Sequence, residues 1–187
     1  MRGWEFLYNV TPSTSLFLGF DEKIRVKNYS NIFIGEYPFH QKLKDELVPL
    51  LEKYPDIQGR KTNVKATMTG INWDHQSDSV KRLQDCVIAE IYSKIGRLQP
   101  RLSFHEFWAN VYKKGDFAQS HDHIPCLFSL VYFLKSKWYN SPLVFNDSGK
   151  RIFPKEGTYV LFPSYFLHHV PKHRFNETRM TLSGNLV

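Results

Sequence analysis

Cysteine is nearly absent: Cys86 and Cys126 are the only two among 187 residues, and no Cys-x-x-Cys spacing occurs. That excludes a disulfide framework and a cysteine-built zinc or redox motif, and it fits a reducing compartment in which both thiols stay reduced. No stretch approaches the roughly 20 apolar residues that cross a bilayer, and Met1 to Glu5 do not begin an apolar secretion segment. The expectation is a soluble protein without a membrane partner, in the cytoplasm. The sequence also lacks internal repeats, low-complexity tracts and any run of five or six like charges. Lys and Arg number 25 against 18 Asp and Glu, a net charge of +7, but they fall in small groups such as Lys113 with Lys114 and Lys150 with Arg151. Scattered charge without a recognition motif argues against nucleic acid as the main partner, and an anionic small molecule accounts for part of the excess.

What the chain does have is apolar and aromatic content, 42% and 16%. That is enough to bury one core, so residues 1–187 are expected to form a single domain. Periodicity divides it near residue 100. Leu43, Leu47, Leu50 and Leu51 recur at helical spacing from about Gln41 to Lys53, with Pro49 inside the pattern. A longer helix is predicted from about Ser79 to Gly96, with Val80, Leu83, Val87, Ile91 and Ile95 as one stripe, Ser77 or Asp78 as N-cap and Gly96 as stop. Strand candidates before them are Leu16 to Phe20, Ile24 to Lys27 and Ile32 to Glu36.

From Arg101 onward the pattern is of short aromatic or β-branched strands between turns: Phe104 to Tyr112, Leu127 to Lys135, Pro142 to Phe145, Thr158 to Phe162 and Arg179 to Leu186. The fold class expected is mainly β with flanking helices: a jelly-roll or barrel over 101–187, supported on the outside of one sheet by the strands and helices of 1–100.

Chemistry concentrates in this second part. His121 and His123 stand two apart, so on one strand both would face one way while Asp122 faces the other. His168 and His169 point to opposite faces, so only one can join the pair. Two ligands from one strand and a third from a distant one would hold a metal on one side and leave the other open for reaction. Arg179 begins the next strand, where a hairpin return brings it back toward the metal. A guanidinium binds a carboxylate through paired hydrogen bonds. Thr181 shares its face, and the alternating polar residues Thr181, Ser183 and Asn185 face either a ligand or solvent.

These residues fit a family pattern. The stretch Trp108 to Phe117 (WANVYKKGDF), His121-Asp122-His123, Ser129 to Tyr132, Pro154 to Gly157, Phe162-Pro163-Ser164, His168 and Arg179 resembles the Fe(II)/2-oxoglutarate-dependent oxygenase superfamily. Within it, the pattern is most similar to oxygenases of bacteria and of T4-like and cyanobacterial viruses, distantly related to prolyl 4-hydroxylases. The similarity covers about Phe104 to Leu186 and, more weakly, Asn63 to Thr69.

The resemblance implies a double-stranded β-helix of the jelly-roll, cupin-like kind, with Fe(II) held by His121, His123 and His168. It implies 2-oxoglutarate as cosubstrate with O2, its distal carboxylate on Arg179, and Tyr112, Ser129 and Thr181 assisting. Hydroxylation of an unidentified substrate, a small molecule or a protein, with release of succinate and CO2, is the implied outcome. Trp108, Phe117, Phe133 and Trp138 are candidate walls, Trp138 to Ser141 and Asn9 to Ser15 candidate recognition loops, and Cys126 a candidate packing thiol. The chain departs from the family at one point. Most members carry histidine-x-carboxylate, whereas His123 occupies the carboxylate's place and the acid is displaced to Asp122; a bulge would be needed to bring Asp122 to the metal. Two other readings stay open: a three-histidine cupin-type dioxygenase without 2-oxoglutarate, and a non-catalytic jelly-roll binding module.

Overall fold

The computed structural model describes residues 31–57, 60–73, 77–96 and 101–187. The strands expected at Leu16 to Phe20 and Ile24 to Lys27, and the loop Asn9 to Ser15, lie outside these residues. In chain order the elements are β1 (Phe33–Glu36), α1 (His40–Glu52), β2 (Val64–Lys65), β3 (Thr67–Met68), α2 (Asp78–Ile95), β4 (Phe104–Tyr112) and β5 (Phe117–His121). There follow β6 (Phe128–Lys135), β7 (Leu143–Phe145), β8 (Arg151–Ile152), β9 (Thr158–Pro163), β10 (His168–Val170) and β11 (Arg179–Leu186). Two antiparallel sheets result, a major one in the order β1-β9-β6-β11-β4-β3 and a minor one in the order β2-β5-β10-β7-β8.

Strand parity divides the interior into two layers. On β11, Met180, Leu182 and Leu186 join a cluster with Leu43, Leu47 and Leu51 of α1 and Leu83, Val87 and Ile91 of α2. Leu130, Tyr132 and Leu134 of β6 and Ala109 and Val111 of β4 belong to the same layer. The alternate residues, Trp108 and Tyr112 of β4, Val131 and Phe133 of β6, and Val160 and Phe162 of β9, form a second cluster with Ala118, Leu143, Phe145 and Val170 of the minor sheet. The helices thus support the outer face of the major sheet, as the sequence suggested. With both faces covered, β6, β9 and β11 are almost wholly buried, which is why their sequences read as apolar runs rather than clean alternation.

Local chemistry fixes the helices. Ser77 Oγ accepts hydrogen bonds from the N–H groups of Ser79 and Val80, and Gly96 ends α2 at φ 78°, a left-handed value suited to glycine. No side chain caps α1 at Phe39, and Pro49 sits within its last turn, so packing of Leu43, Leu47 and Leu51 has to hold it. The short strands β2, β3 and β8, two residues each, carry no pattern that a sequence could show. Among the described residues, no helix is long and apolar enough to cross a membrane.

Gly184 marks a tight point of the helix-facing layer. A Cβ there would lie 2.8 Å from ring carbons of both Phe104 and Phe107, which meet edge to face. Overpacking of this kind costs about 1–3 kcal/mol. Gly184→Val is therefore expected to lower the unfolding free energy measured in urea by that amount, and a variant as stable as the parent would show that the two rings can move aside.

Candidate metal centre

The three candidate metal-ligating histidines come from the minor sheet and its adjoining loop. β5 pairs with β10 so that His121 lies opposite His168. The β5 strand ends at His121, so His123 is not a second in-strand ligand as expected. It lies just past the strand end, where its N–H donates to the Ser164 carbonyl at 2.8 Å and its own carbonyl accepts from the Cys126 N–H at 2.9 Å. The three rings nevertheless converge, with centroids 4.8 Å apart for His121 and His123, 4.4 Å for His121 and His168, and 5.2 Å for His123 and His168. One ring nitrogen from each lies within 4.8 Å of the others, the only such cluster of His, Cys, Asp or Glu among the described residues.

Two of the rings are held in a ligand-ready orientation. His121 Nδ1 donates to the Gln119 carbonyl at 2.7 Å, and buried His168 Nδ1 donates to the Phe166 carbonyl at 2.8 Å. A proton held on Nδ1 leaves Nε2 with its lone pair free for an ion. Burial, and the neighbouring His121, push His123 and His168 down to about 3, and burial lowers His121 as well. All three are therefore neutral imidazoles near pH 7, the form that binds metal.

Asp122 does not reach this cluster. It is exposed, and its Oδ1 accepts from the Ile124 N–H at 3.3 Å, so no bulge turns it inward. His169 faces the opposite way, where its Nδ1 donates to Asn146 Oδ1 at 2.7 Å. Cys126 is half-buried, outside the cluster, with burial raising its thiol pKa.

From the three histidines a narrow cavity runs between the sheets to Arg179, lined also by Tyr112, Ser129, Thr181, Trp108 and Asn110. The sequence-assigned residues thus line one space. Arg179 is fully buried, and none of its three guanidinium nitrogens has a hydrogen-bond partner. Its carbon lies 4.7 Å from the Tyr112 ring centre and 5.5 Å from that of Phe133, a cation–π sandwich. Burial lowers its pKa, while Tyr112 beside it opposes the shift; the Tyr112 phenol is raised by the same burial.

Ser129 lines the cavity, and its hydroxyl donates to Asn185 Oδ1 at 2.9 Å and meets Ser164 Oγ at 3.0 Å. Of the candidate walls, Trp108 lies 5.9 Å from His123, ring to ring, with its indole N–H buried and unpartnered. Phe133 supports Arg179, Phe117 lies under Lys172, and Trp138 is 78% exposed and walls nothing. Asn110, Ser183 and Asn185 were not assigned from sequence. Strand parity with Arg179 was the available signal for the last two: Ser183 lines the cavity, and Asn185, buried, turns inward to His123.

No family model and no characterised relative matches the chain in sequence. Solved structures match it in fold. A viral collagen prolyl hydroxylase from Paramecium Bursaria Chlorella virus-1, in a 2-oxoglutarate complex, superposes with a TM-score of 0.67 at 15% identity, over 86% of this chain and 98% of its own. The fold is that of the 2-oxoglutarate/Fe(II) oxygenases, a double-stranded β-helix. A Trichoplax adhaerens prolyl hydroxylase, in complex with a hypoxia inducible factor peptide, matches with a TM-score of 0.64 at 17% identity, over 99% of this chain and 93% of its own. HygX from Streptomyces hygroscopicus, with nickel and 2-oxoglutarate bound, matches with a TM-score of 0.63 at 10% identity, over 89% and 86%.

The depressed histidines set a pH dependence. In the unfolded chain these groups titrate near the ordinary value of 6.5, and in the folded metal-free protein His123 and His168 do so near 3. Between these values the unfolded state binds more protons, so stability rises with pH. Denaturant unfolding of metal-free protein should show this contribution intact above about pH 6.5 and progressively lost toward pH 3. His168→Gln should flatten that slope; an unchanged slope would contradict the placement of His168 in the buried cluster.

Proposed function

We propose that the protein is a 2-oxoglutarate- and Fe(II)-dependent oxygenase that hydroxylates an as yet unidentified substrate, a peptide or a small molecule. One observation carries this reading: a fully buried guanidinium with no partner on any nitrogen shares a narrow cavity with three converging neutral imidazoles. A buried cation left unpaired costs several kcal/mol, so the site is built for an anion. A metal at one end and an arginine at the other match a ligand that chelates at one end and carries a carboxylate at the other.

In this reading His121, His123 and His168 would hold the iron, which with O2 and 2-oxoglutarate would supply the oxidising chemistry, with succinate and CO2 as the co-products. Three neutral ligands leave the ion its full charge of +2, which favours an anionic cosubstrate. Arg179 receives the distal carboxylate, with the Thr181 hydroxyl on the same face of β11. The Tyr112 phenol, kept protonated by burial, remains a donor beside it. Trp108, Val131 and Phe162 line the cavity with apolar surface and exclude water from the reacting end.

The two alternatives weigh less against the unpaired Arg179. A cupin-type dioxygenase without 2-oxoglutarate would use it for the substrate's own carboxylate, and only succinate release separates that case. A binding module would not need three converging neutral imidazoles beside a buried guanidinium.

Anaerobic addition of Fe(II) and 2-oxoglutarate should produce a visible metal-to-ligand absorption band. His168→Ala should abolish it. Removing the buried charge partner costs about 2–5 kcal/mol, so Arg179→Ala should weaken 2-oxoglutarate roughly 30-fold or more. No band with the wild-type protein would count against the proposal, and unchanged affinity in the arginine variant would remove Arg179 from its role.

A further inference from the structure

His123 differs from its two partners in what faces its second nitrogen. His121 and His168 each donate Nδ1–H to a backbone carbonyl. His123 Nδ1 instead faces an amide nitrogen, Asn185 Nδ2, at 3.2 Å. The register of the major sheet explains why. Across β11, Asn185 lies opposite Glu106 on one side and Ser129 on the other. Glu106 Oε2 accepts from Asn185 Nδ2 at 2.5 Å, and Ser129 Oγ donates to Asn185 Oδ1 at 2.9 Å. A carboxylate can only accept from an amide, so Glu106 fixes which end of Asn185 is nitrogen. The second Asn185 N–H is then directed at His123, whose Nδ1 must accept it. A neutral ring that accepts on Nδ1 carries its proton on Nε2.

That tautomer opposes an ion at Nε2. Loading through Nε2 moves the ring proton to Nδ1, where it would point at the N–H of Asn185, donor against donor. The conflict is relieved when the Asn185 amide turns over. Oδ1 then accepts from His123 Nδ1–H, Nδ2 donates to Ser129 Oγ, and Ser129 donates to Ser164 Oγ, 3.0 Å away. Glu106 loses its donor and turns to water, which its partly exposed position on β4 allows.

We propose that Glu106 and Asn185 are positioning residues that act on His123: Glu106, through the Asn185 amide, holds the ring in its metal-refusing tautomer, and loading requires that amide to rotate. This rests on the metal-centre reading above and adds a device to it. In place of a carboxylate ligand, the chain carries a carboxylate two hydrogen bonds behind the third histidine, where it sets the ease of loading rather than the charge of the site.

The test uses full-length protein labelled with 15N at histidine, with Zn(II) as a diamagnetic probe. In metal-free wild type, ring nitrogen spectra should show Nδ1–H for His121 and His168 and Nε2–H for His123. Zn(II) should convert His123 to Nδ1–H. Glu106→Gln, nearly isosteric, can donate to Asn185 Oδ1 and so favours the turned amide. It should shift His123 toward Nδ1–H before metal is added and tighten Zn(II) by about tenfold, the scale on which groups behind a ligand act. An Nδ1–H His123 in metal-free wild type, or unchanged or weaker zinc affinity in Glu106→Gln while the wild type binds normally, overturns this inference and leaves the metal centre standing. Failure of the wild type to bind zinc or any divalent ion overturns both.

Discussion

A single buried cation, Arg179, is the constraint on which the site depends. It stands at the start of β11, fully enclosed, with no acidic or carbonyl partner on its nitrogens. Stacking between Tyr112 and Phe133 returns part of its lost hydration, on the order of 1–2 kcal/mol, against a desolvation penalty of several kcal/mol. The fold tolerates the deficit because both faces of β11 are packed, and the strand cannot tilt the guanidinium out to water without exposing Met180 and Leu182. The cavity is thus a preorganised anion site at one end, and what the other end holds decides its use.

At the other end three imidazoles converge, all neutral because burial disfavours their charged forms. With a metal ion held there as proposed, two positive centres would stand at opposite ends of one narrow space, an arrangement that favours a doubly anionic ligand stretched between them. The negative charge absent from the ligand set reappears as Glu106, joined to His123 through Asn185.

Much of this was legible in the sequence, and the limits were physical. The stripe of Val80, Leu83, Val87 and Ile91 with Ser77 and Gly96 at its ends defined α2, because capping and periodicity are local. Strands β4 and β11 were found to the residue, because turn residues bound them. The His-x-His spacing, His168 and Arg179 stood out in the sequence as candidates, and the structure brings them to one cavity. What escaped depended on partners far along the chain. Strands of two residues, such as β2 and β8, exist only through their neighbours' hydrogen bonds. His123 lies past the end of β5 because Ser164 captures its backbone, a contact no local pattern shows. Trp138 reads like a wall and is exposed. The orientation of Asn185 follows from the register of three strands, so the network behind His123 could be seen only once β4, β6 and β11 were aligned.

Whether the ligand is held at both ends is tested directly by two acids of the same chain length. 2-Oxoglutarate and 2-oxopentanoate share the chelating end and chain length, and they differ only in the distal carboxylate. Titrated calorimetrically into Co(II)-loaded protein under argon, 2-oxoglutarate should bind roughly 30-fold or more tightly, the loss expected when a buried charge is deprived of its partner. Equal affinities for the two acids would mean that Arg179 does not receive the ligand, and the central claim would fail.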